Sequence, residues 1–260
     1  MKTNRQIKVD KIIMFLWPII AAIVSLVIQA NFFISMLLFL ALPALYLSYR
    51  NKKMVKKMLL FSLPALLIVI VIDYICEITG TWLVMNSIFD YRILGFVTID
   101  IIIWFFIYTY LIIAYYEYFL EHKFKDVLYK PRLKYLYLYF LSVLVTFFVV
   151  FFTNKAWLHI RYFYLLFGTV MAIIPITLVF NKFPNIITKF VKTGVYFFYL
   201  AIIYELTAIT LNQWMFPGKD FIGIVTLFNI SFPFEELFFW MLLGAMSILS
   251  YYEFFDDDKK

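Results

Sequence analysis

Long apolar runs constrain this chain more than any other feature of its sequence. They lie at 11–29, 32–49, 59–84, 96–119, 135–153, 157–179, 193–212 and 221–253. Each is long enough to cross a hydrocarbon core of about 30 Å as a helix. Helices are the expected form, because a backbone in lipid must satisfy its polar groups internally. We therefore predict an all-α, polytopic membrane helix bundle of about eight spans.

The amino-acid composition indicates a single integral membrane domain over residues 1–260. Hydrophobic residues make up 65% of the chain, charged residues only 15%, and the mean hydropathy is +0.91. These values exclude a soluble domain whose apolar residues merely fill a core. Cys76 is the only cysteine, so the sequence holds neither a disulfide framework nor a cysteine metal site.

Basic residues are unevenly distributed between the two sides of such a bundle. Most of the 23 Lys and Arg residues precede the first run, follow the last one, or lie between runs on that same side. The exceptions are Arg92, Lys155, Arg161 and Lys219. This asymmetry predicts a multi-pass protein with both termini in the cytoplasm. It accounts for the formal charge of +7 without nucleic acid, and makes membrane lipid the expected neighbour.

The last apolar run is too long for one straight span, since a helix rising about 1.5 Å per residue would reach about 50 Å. Pro233 suits the first turn of a helix, so we predict that it opens the spanning part. Residues 221–232 would then form a separate re-entrant or interfacial segment. Two adjacent acids, Glu235 and Glu236, follow the proline, and ionised side chains are costly in a membrane unless a partner or a function retains them.

An internal repeat connects these acids to the first half of the chain. Asp100, Trp104 and Tyr115-Tyr116-Glu117 recur at one constant offset as Glu236, Trp240 and Tyr251-Tyr252-Glu253. Upstream, with shifted spacing, Glu77 and Trp82 match Glu205 and Trp214. Repeat one covers 59–119, with its core at 73–119, and repeat two covers 193–255, with its core at 204–255. An even number of helices separates them, so we predict a parallel internal duplication.

The predicted topology brings six acids to similar depth. They are Asp73, Glu77, Asp100, Glu205, Glu235 and Glu236. Burial and neighbouring like charges both disfavour ionisation of a carboxyl group. A cavity lined by such acids can therefore hold one neutral carboxylic acid that donates a proton and one carboxylate that accepts a proton.

Residues 73–119 and 204–255 resemble the two repeats of the membrane-integral lycopene cyclase domain family. The family repeat contains an acidic or polar residue, Gly-x-Trp, a loop, Pro-x-Glu-Glu followed by aromatics, and a terminal Tyr-Glu. The second repeat carries the central motif as Pro233-Phe234-Glu235-Glu236, followed by Leu237-Phe238-Phe239. The first departs from it, with Val97-Thr98-Ile99-Asp100 at that place. The remaining runs match only in being apolar.

The resemblance implies an intramolecular lyase or isomerase of carotenoid biosynthesis that needs no cofactor. An acid protonates a terminal double bond of a linear carotenoid, a second double bond attacks the cation, and a base removes a proton from the ring. Glu235 or Glu236 would act as acid and base. Glu205, Glu77 and Asp100 would assist them. Aromatic ring faces would stabilise the cation, and the candidates are Trp82, Trp214, Phe232, Phe234, Phe239 and Trp240.

Other interpretations remain open at this point. The acids could hold helices together through hydrogen bonds, and Trp82 and Trp214 could belong to an interfacial belt. The whole chain could be a proton-coupled transporter of a small or lipophilic solute. It could also be an inactive partner subunit of the same family, within a homo- or hetero-oligomer. A metal site is not expected, because neither His122 nor His159 has a partner at ligand spacing and Asp256–Asp258 is read as a solvated tail.

Overall fold

Helices carry most of the chain in the computed structural model, which describes residues 4–121 and 132–256. They are α1 (Asn4–Val27), α2 (Phe32–Arg50), α3 (Lys52–Ser62), α4 (Ala65–Thr79), α5 (Ile99–Phe119), α6 (Leu133–Thr153), α7 (Phe163–Lys182), α8 (Pro184–Thr210), α9 (Glu236–Leu242) and α10 (Gly244–Phe255). The prediction of an all-α fold is confirmed. His122 and the end of the acidic tail, Asp257 and Asp258, lie outside the described residues.

Six of these helices are long and apolar enough to cross a membrane. They are α1, α2, α5, α6, α7 and α8. The pair α3 and α4 bends by 44°, the pair α9 and α10 by 45°, and each pair passes the same test when taken together. Within residues 4–121 and 132–256 the number of candidate spans therefore reaches up to eight, which agrees with the apolar runs of the sequence.

Both bends have a local cause in the sequence. Leu63 and Pro64 separate α3 from α4, and proline cannot continue a helical hydrogen-bond ladder. The second bend lies between Leu242 and Gly244, where the widened turns of α9 return to regular helix. Widened, π-helical turns of this kind are often found at functional sites.

The connections between helices gather at two opposite ends of the bundle. At the first, called the terminal end, Arg50 lies 2.8 Å from Asp10 and Lys57 lies 2.6 Å from Asp256. At the second, called the loop end, the Gly218 backbone N–H donates to the Gly80 carbonyl at 2.7 Å. Successive helical segments thus run alternately between the two ends.

The two Tyr-Tyr-Glu motifs meet each other at the terminal end. The Tyr252 hydroxyl donates to Glu117, and Tyr116 bonds to Glu253 in the reciprocal contact. Lys57 adds an ion pair to Glu117 at 3.1 Å. These acids therefore join the ends of α5 and α10.

Backbone irregularities recur at one constant separation along the chain. Helix α2 widens over Leu37–Ala41 before Pro43, and α7 widens over Thr169–Ile173 before Pro175. We call the separation from Pro43 to Pro175 the repeat offset. At this offset, the tight turn Lys52–Met54 that enters α3 matches the turn Pro184–Ile186 that begins α8. The similarity between the halves therefore extends into helices that the sequence matched only as apolar.

Short strands shape the loop end. Strands β1 (Leu83–Val84) and β4 (Trp214–Met215) pair antiparallel and join the two halves of the chain. Strands β2 (Arg92–Ile93) and β3 (Val97–Thr98) form one hairpin, and β5 (Ile224–Leu227) and β6 (Ile230–Pro233) form another.

The second hairpin gives the form of residues 221–232. This segment was predicted as a re-entrant or interfacial piece separate from the last span, and most of it pairs as β5 and β6. Phe228 and Asn229 turn the chain with φ of 49° and 64°, a left-handed conformation in which glycine is more usual. Helical backbone starts directly after Pro233, close to the position predicted for the opening of the last span.

Candidate functional site

A cavity at the loop end brings acids and indole rings from both halves together. It encloses about 590 Å³, including its open mouth. Two acids and four tryptophans line it: Glu205, Glu236, Trp82, Trp104, Trp214 and Trp240. Most of the remaining wall is apolar. We call this space the acid cavity.

A second cavity lies next to the acid cavity, on the side of the terminal end. It encloses about 780 Å³, and its walls are almost wholly apolar. Its wall shares five residues with the acid cavity: Ile72, Phe105, Tyr164, Phe167 and Trp240. Farther on it is lined by Gly168, Ala172, Phe239 and Tyr252. The two cavities are therefore neighbours, and Glu205 and Glu236 lie in the wall of the first.

Glu236 is the acid held in the first turn of α9. Its residue is buried, and its side chain lines the acid cavity. The Tyr164 hydroxyl donates to Glu236 Oε2. One carboxylate oxygen of Glu236 is therefore held by a hydrogen bond. The same side chain faces the acid cavity.

Glu205 is held by a tryptophan that follows it in the chain. The Trp214 indole N–H donates to Glu205 Oε1 at 2.8 Å. The Trp82 indole N–H donates to Asp73 Oδ1 at 2.7 Å in the same way. Helices α4 and α8 each end shortly before the tryptophan, and the chain then turns back. The indole ring therefore lies beside the last turns of the helix that carries the acid.

This geometry changes the match between the halves. The sequence pattern paired Glu77 with Glu205. The residue that accepts the corresponding tryptophan hydrogen bond is Asp73, which lies one repeat offset before Glu205. Glu77 instead accepts from the Val84 backbone N–H at 3.1 Å and lies 3.6 Å from Arg92. Glu77 is therefore directed at the β1 and β2 loop, and it is not among the residues described as lining the acid cavity.

Asp100 and Glu235 each hold a loop. Asp100 accepts from the Ile88 backbone N–H at 3.1 Å, and Glu235 accepts from the Ile222 backbone N–H at 2.7 Å. Their other carboxylate oxygens are buried and find no hydrogen-bond partner within residues 4–121 and 132–256. The shared contact makes Asp100 the counterpart of Glu235, whereas the sequence match had set it against Glu236.

The next residue in each half faces the acid cavity. Ile101 follows Asp100, Glu236 follows Glu235, and both Ile101 and Glu236 line the wall. Neighbouring side chains on a helix differ in direction by about 100°, so only one residue of each pair can do so. The adjacent glutamates, both predicted as acid or base, are thereby separated into a loop-holding residue and a cavity residue.

The aromatic residues predicted to contact substrate divide into two groups. Trp82, Trp214 and Trp240 line the acid cavity, and Phe239 lines the second cavity. Phe232 packs instead in a small cluster with Met241. Phe234 is 37% exposed and stacks on Phe238 at 5.7 Å. Phe232 and Phe234 are absent from the described walls of both cavities.

Several wall residues escaped the sequence prediction. Trp104 was recognised as part of the repeat but given no role, although it lines the acid cavity. Tyr164 lies in an apolar run with no motif around it, and the chain has 20 tyrosines in all. The recurrence of Pro43 as Pro175 is the one signal that could have aligned Tyr164 with its counterpart in the first half.

The acids do not come together as a metal centre in the part of the chain that the structure describes. No three His, Cys, Asp or Glu side chains there are placed to hold a metal ion. Two carboxyl groups in the wall of one cavity, as Glu205 and Glu236 are, can donate and accept protons.

Comparisons with protein-family models, with curated proteins and with solved structures found no match for this chain. Its function is therefore inferred from the contacts of its own residues.

Proposed function

We propose that this chain is a membrane-bound cyclase of the lycopene cyclase type, which closes a ring at the end of a linear carotenoid. One observation carries the proposal: Glu236 and Glu205 face a cavity lined by four tryptophans, and an apolar cavity lies directly beside it. A linear carotenoid is a long apolar chain whose reacting end needs an acid, a base and protection of a cation from water. The acid cavity offers two carboxyl groups and aromatic ring faces, and the apolar cavity beside it offers space for the chain.

In the proposed reaction, Glu236 is the acid. Its proton is transferred to a terminal double bond, and the electron pair of the broken O–H bond stays on the carboxylate. A second double bond of the substrate attacks the cation and closes the ring. Glu205 then accepts a proton from a ring carbon, whose C–H electron pair becomes the new ring double bond. Hydrogen is neither gained nor lost, so the product is an isomer of the substrate.

The indole rings support the cationic intermediates. A cation over the face of a desolvated aromatic ring is stabilised by up to about 2 kcal/mol. Trp82 and Trp104 come from the first half of the chain, and Trp214 and Trp240 from the second. A single chain thus supplies every group that the proposed chemistry needs.

The membrane location and orientation are also proposals. We infer eight spans, with the bent pairs α3–α4 and α9–α10 each serving as one span. The basic residues cluster at the terminal end, which favours a cytoplasmic position for that end and both termini. Cysteine labelling from each side of the membrane tests this orientation. A Phe228→Cys variant should react with an impermeant reagent in intact cells, and Lys53→Cys only after permeabilisation.

We further infer that the chain arose by parallel duplication. The repeat offset relates the widened turns of α2 and α7, and it also relates the matched contacts of Trp82 and Trp214. Asp100 and Glu235 are separated by slightly more than the repeat offset. Trp104 and Trp240 are one position farther apart than Asp100 and Glu235. That last extra residue falls within the widened turns of α9, as expected for a single-residue insertion.

Expression in lycopene-accumulating cells tests the proposed function. We expect the wild-type chain to convert lycopene to a cyclic carotenoid, detected by pigment chromatography. A Glu236→Gln variant should lower ring formation by at least about a hundredfold, the usual contribution of general acid catalysis.

The neighbouring Glu235→Gln variant is the matched control. It keeps an acceptor for the Ile222 N–H and should still cyclise lycopene. Lycopene that stays linear with the wild-type chain present in the membranes would contradict the proposal. Such a result would favour a carrier for a lipophilic solute.

A further inference from the structure

Tyr164 stands at the junction of the two cavities. Its side chain lines both of them, and the residue is only 1% exposed. The ring meets Trp82 edge to face, with centroids 5.6 Å apart and planes at 77°. This packing fixes the ring, so the position of its hydroxyl group is determined by the fold.

The Tyr164 hydroxyl is bonded to the acid of the proposed reaction. It donates to Glu236 Oε2, and within the described residues this is the one hydrogen bond of the Glu236 side chain. Glu236 Oε1 is the oxygen left for the cavity. A buried donor that fixes one oxygen of a carboxyl group also determines which oxygen can carry the acidic proton.

The first half of the chain offers an internal comparison. Phe32 stands one repeat offset before Tyr164 and packs edge to face on Trp214, with centroids 5.5 Å apart and planes at 88°. The ring contact is therefore common to both halves. Phe32 has no hydroxyl group, and the cavity residue of its half is Ile101 rather than an acid. The donor and the acid occur together in one half and are both missing from the other.

We propose that Tyr164 is the positioning residue of Glu236, an inference that rests on the proposed cyclase function. Its hydroxyl keeps Oε2 as the carbonyl oxygen of the neutral acid, so the proton is held on Oε1, toward the cavity. When that proton is transferred to the substrate double bond, the O–H electron pair remains on the carboxyl group. The new negative charge is shared with Oε2, where the Tyr164 hydrogen bond strengthens and stabilises it.

Infrared spectroscopy of purified protein tests this role. The carbonyl stretch of neutral Glu236 is the band that Glu236→Gln removes. In Tyr164→Phe we expect that band at higher wavenumber, because the carbonyl oxygen has lost its donor. Turnover should fall about ten- to a hundredfold, the range for losing a hydrogen bond to a charged group. KM should stay near the wild-type value, because the ring contact with Trp82 remains.

Tyr108→Phe is the matched control. It removes a buried hydroxyl that has no hydrogen-bond partner in the described ranges, from a ring stacked behind Trp104. Neither the band nor the turnover should change. An unmoved band in Tyr164→Phe, or no carbonyl band lost in Glu236→Gln, would overturn the proposal.

The infrared comparison also separates the two proposals. If the wild-type chain forms no ring, the proposed cyclase function is wrong. The position of the Glu236 band would still show whether Tyr164 donates a hydrogen bond to Glu236. If Tyr164→Phe and Tyr108→Phe form rings at equal turnover, the cyclase function is retained and Tyr164 does not position Glu236.

Discussion

Helices α2 and α7 are counterparts whose inner faces differ in size and chemistry. Both carry a widened turn followed by proline at the same spacing. On α2 the inner face is filled by large side chains, each 0% exposed: Phe32, Met36 and Leu40. On α7 the positions one repeat offset later hold Tyr164, Gly168 and Ala172.

The difference bears on the second cavity, which lies beside α7. Gly168 and Ala172 line that cavity, and their small side chains leave its volume free. Gly168 also lets the Phe239 ring approach the helix, because a Cβ atom there would lie only 2.1 Å from Phe239 Cγ. On α2 the corresponding positions hold Met36 and Leu40, which are buried in the core. The inner face of α2 therefore packs as core, and that of α7 borders a cavity.

The acids show the same division. Glu205 and Asp73 each accept a hydrogen bond from a tryptophan. Of these two acids, Glu205 is among the described residues that line the acid cavity, and Asp73 is not. Glu236 lines it where the first half has Ile101. In the proposed reaction the second half thus supplies the acid and the base, and the first half contributes wall residues such as Trp82.

The largest effect that tests this division is expected at Glu205. We predict that Glu205→Gln lowers ring formation about a hundredfold, because the proposed base is lost. The matched change Asp73→Asn keeps an acceptor for Trp82 and should leave the rate within about threefold of wild type, as expected for a residue that acts outside the transition state. Rates in isolated membranes measure both. Equal losses would break the distinction between the halves.

A smaller effect is expected from filling the second cavity. Ala172→Leu gives α7 the side chain that Leu40 provides on α2. The added volume fills part of the cavity proposed to hold the substrate chain, so KM for lycopene should rise about tenfold, equivalent to about 1.4 kcal/mol of binding. Leu178→Ile, on an exposed face of α7, is the control and should leave KM unchanged. An unchanged KM in Ala172→Leu would place the substrate elsewhere.

The terminal end should respond in stability rather than in rate. Tyr252→Phe removes the hydrogen bond to buried Glu117, and we expect the free energy of unfolding to fall by about 1–3 kcal/mol. Tyr116→Phe, which breaks the reciprocal contact with Glu253, should cost a similar amount. Thermal unfolding in detergent measures both variants. A loss confined to one of them would show that the motif is structurally unequal in the two halves.

The smallest effects are expected at the loop-holding acids. Asp100→Asn and Glu235→Gln retain an oxygen that can accept from Ile88 and Ile222, so each should lower stability by no more than about 1 kcal/mol. Ring formation should continue in both variants. A large loss of activity in Glu235→Gln alone would assign Glu235 to the chemistry and undo the separation of the adjacent glutamates.

The sequence predicted the helical segments well, because eight long apolar runs leave a chain few alternatives. It also named both acids and three of the four tryptophans that the structure shows in the wall of the acid cavity. It could not choose between Glu235 and Glu236, because that choice depends on how the strand β6 leads into α9. It paired Glu77 rather than Asp73 with Glu205. Acids at positions 73 and 77 are one helical turn apart, so the sequence alone does not distinguish which of them is the counterpart.

Two further features were beyond sequence reasoning for physical reasons. The β5–β6 hairpin turns at Phe228 and Asn229 without the glycine that usually marks such a turn. The role of Tyr164 depends on a contact between α7 and α9, whose hydroxyl and carboxylate are 72 residues apart in the chain. Contacts over such distances in the chain leave no local pattern.

Deuterium incorporation tests the central claim most directly. Membranes containing the wild-type chain are incubated with lycopene in D₂O, and the products are analysed by mass spectrometry. If a carboxylic acid that exchanges with solvent starts the reaction, each ring formed should carry one deuterium, and recovered lycopene should carry none. Glu235→Gln should give the same labelled product, and Glu236→Gln should give almost no product. Unlabelled rings, or labelled rings formed at the wild-type rate by Glu236→Gln, would contradict the account.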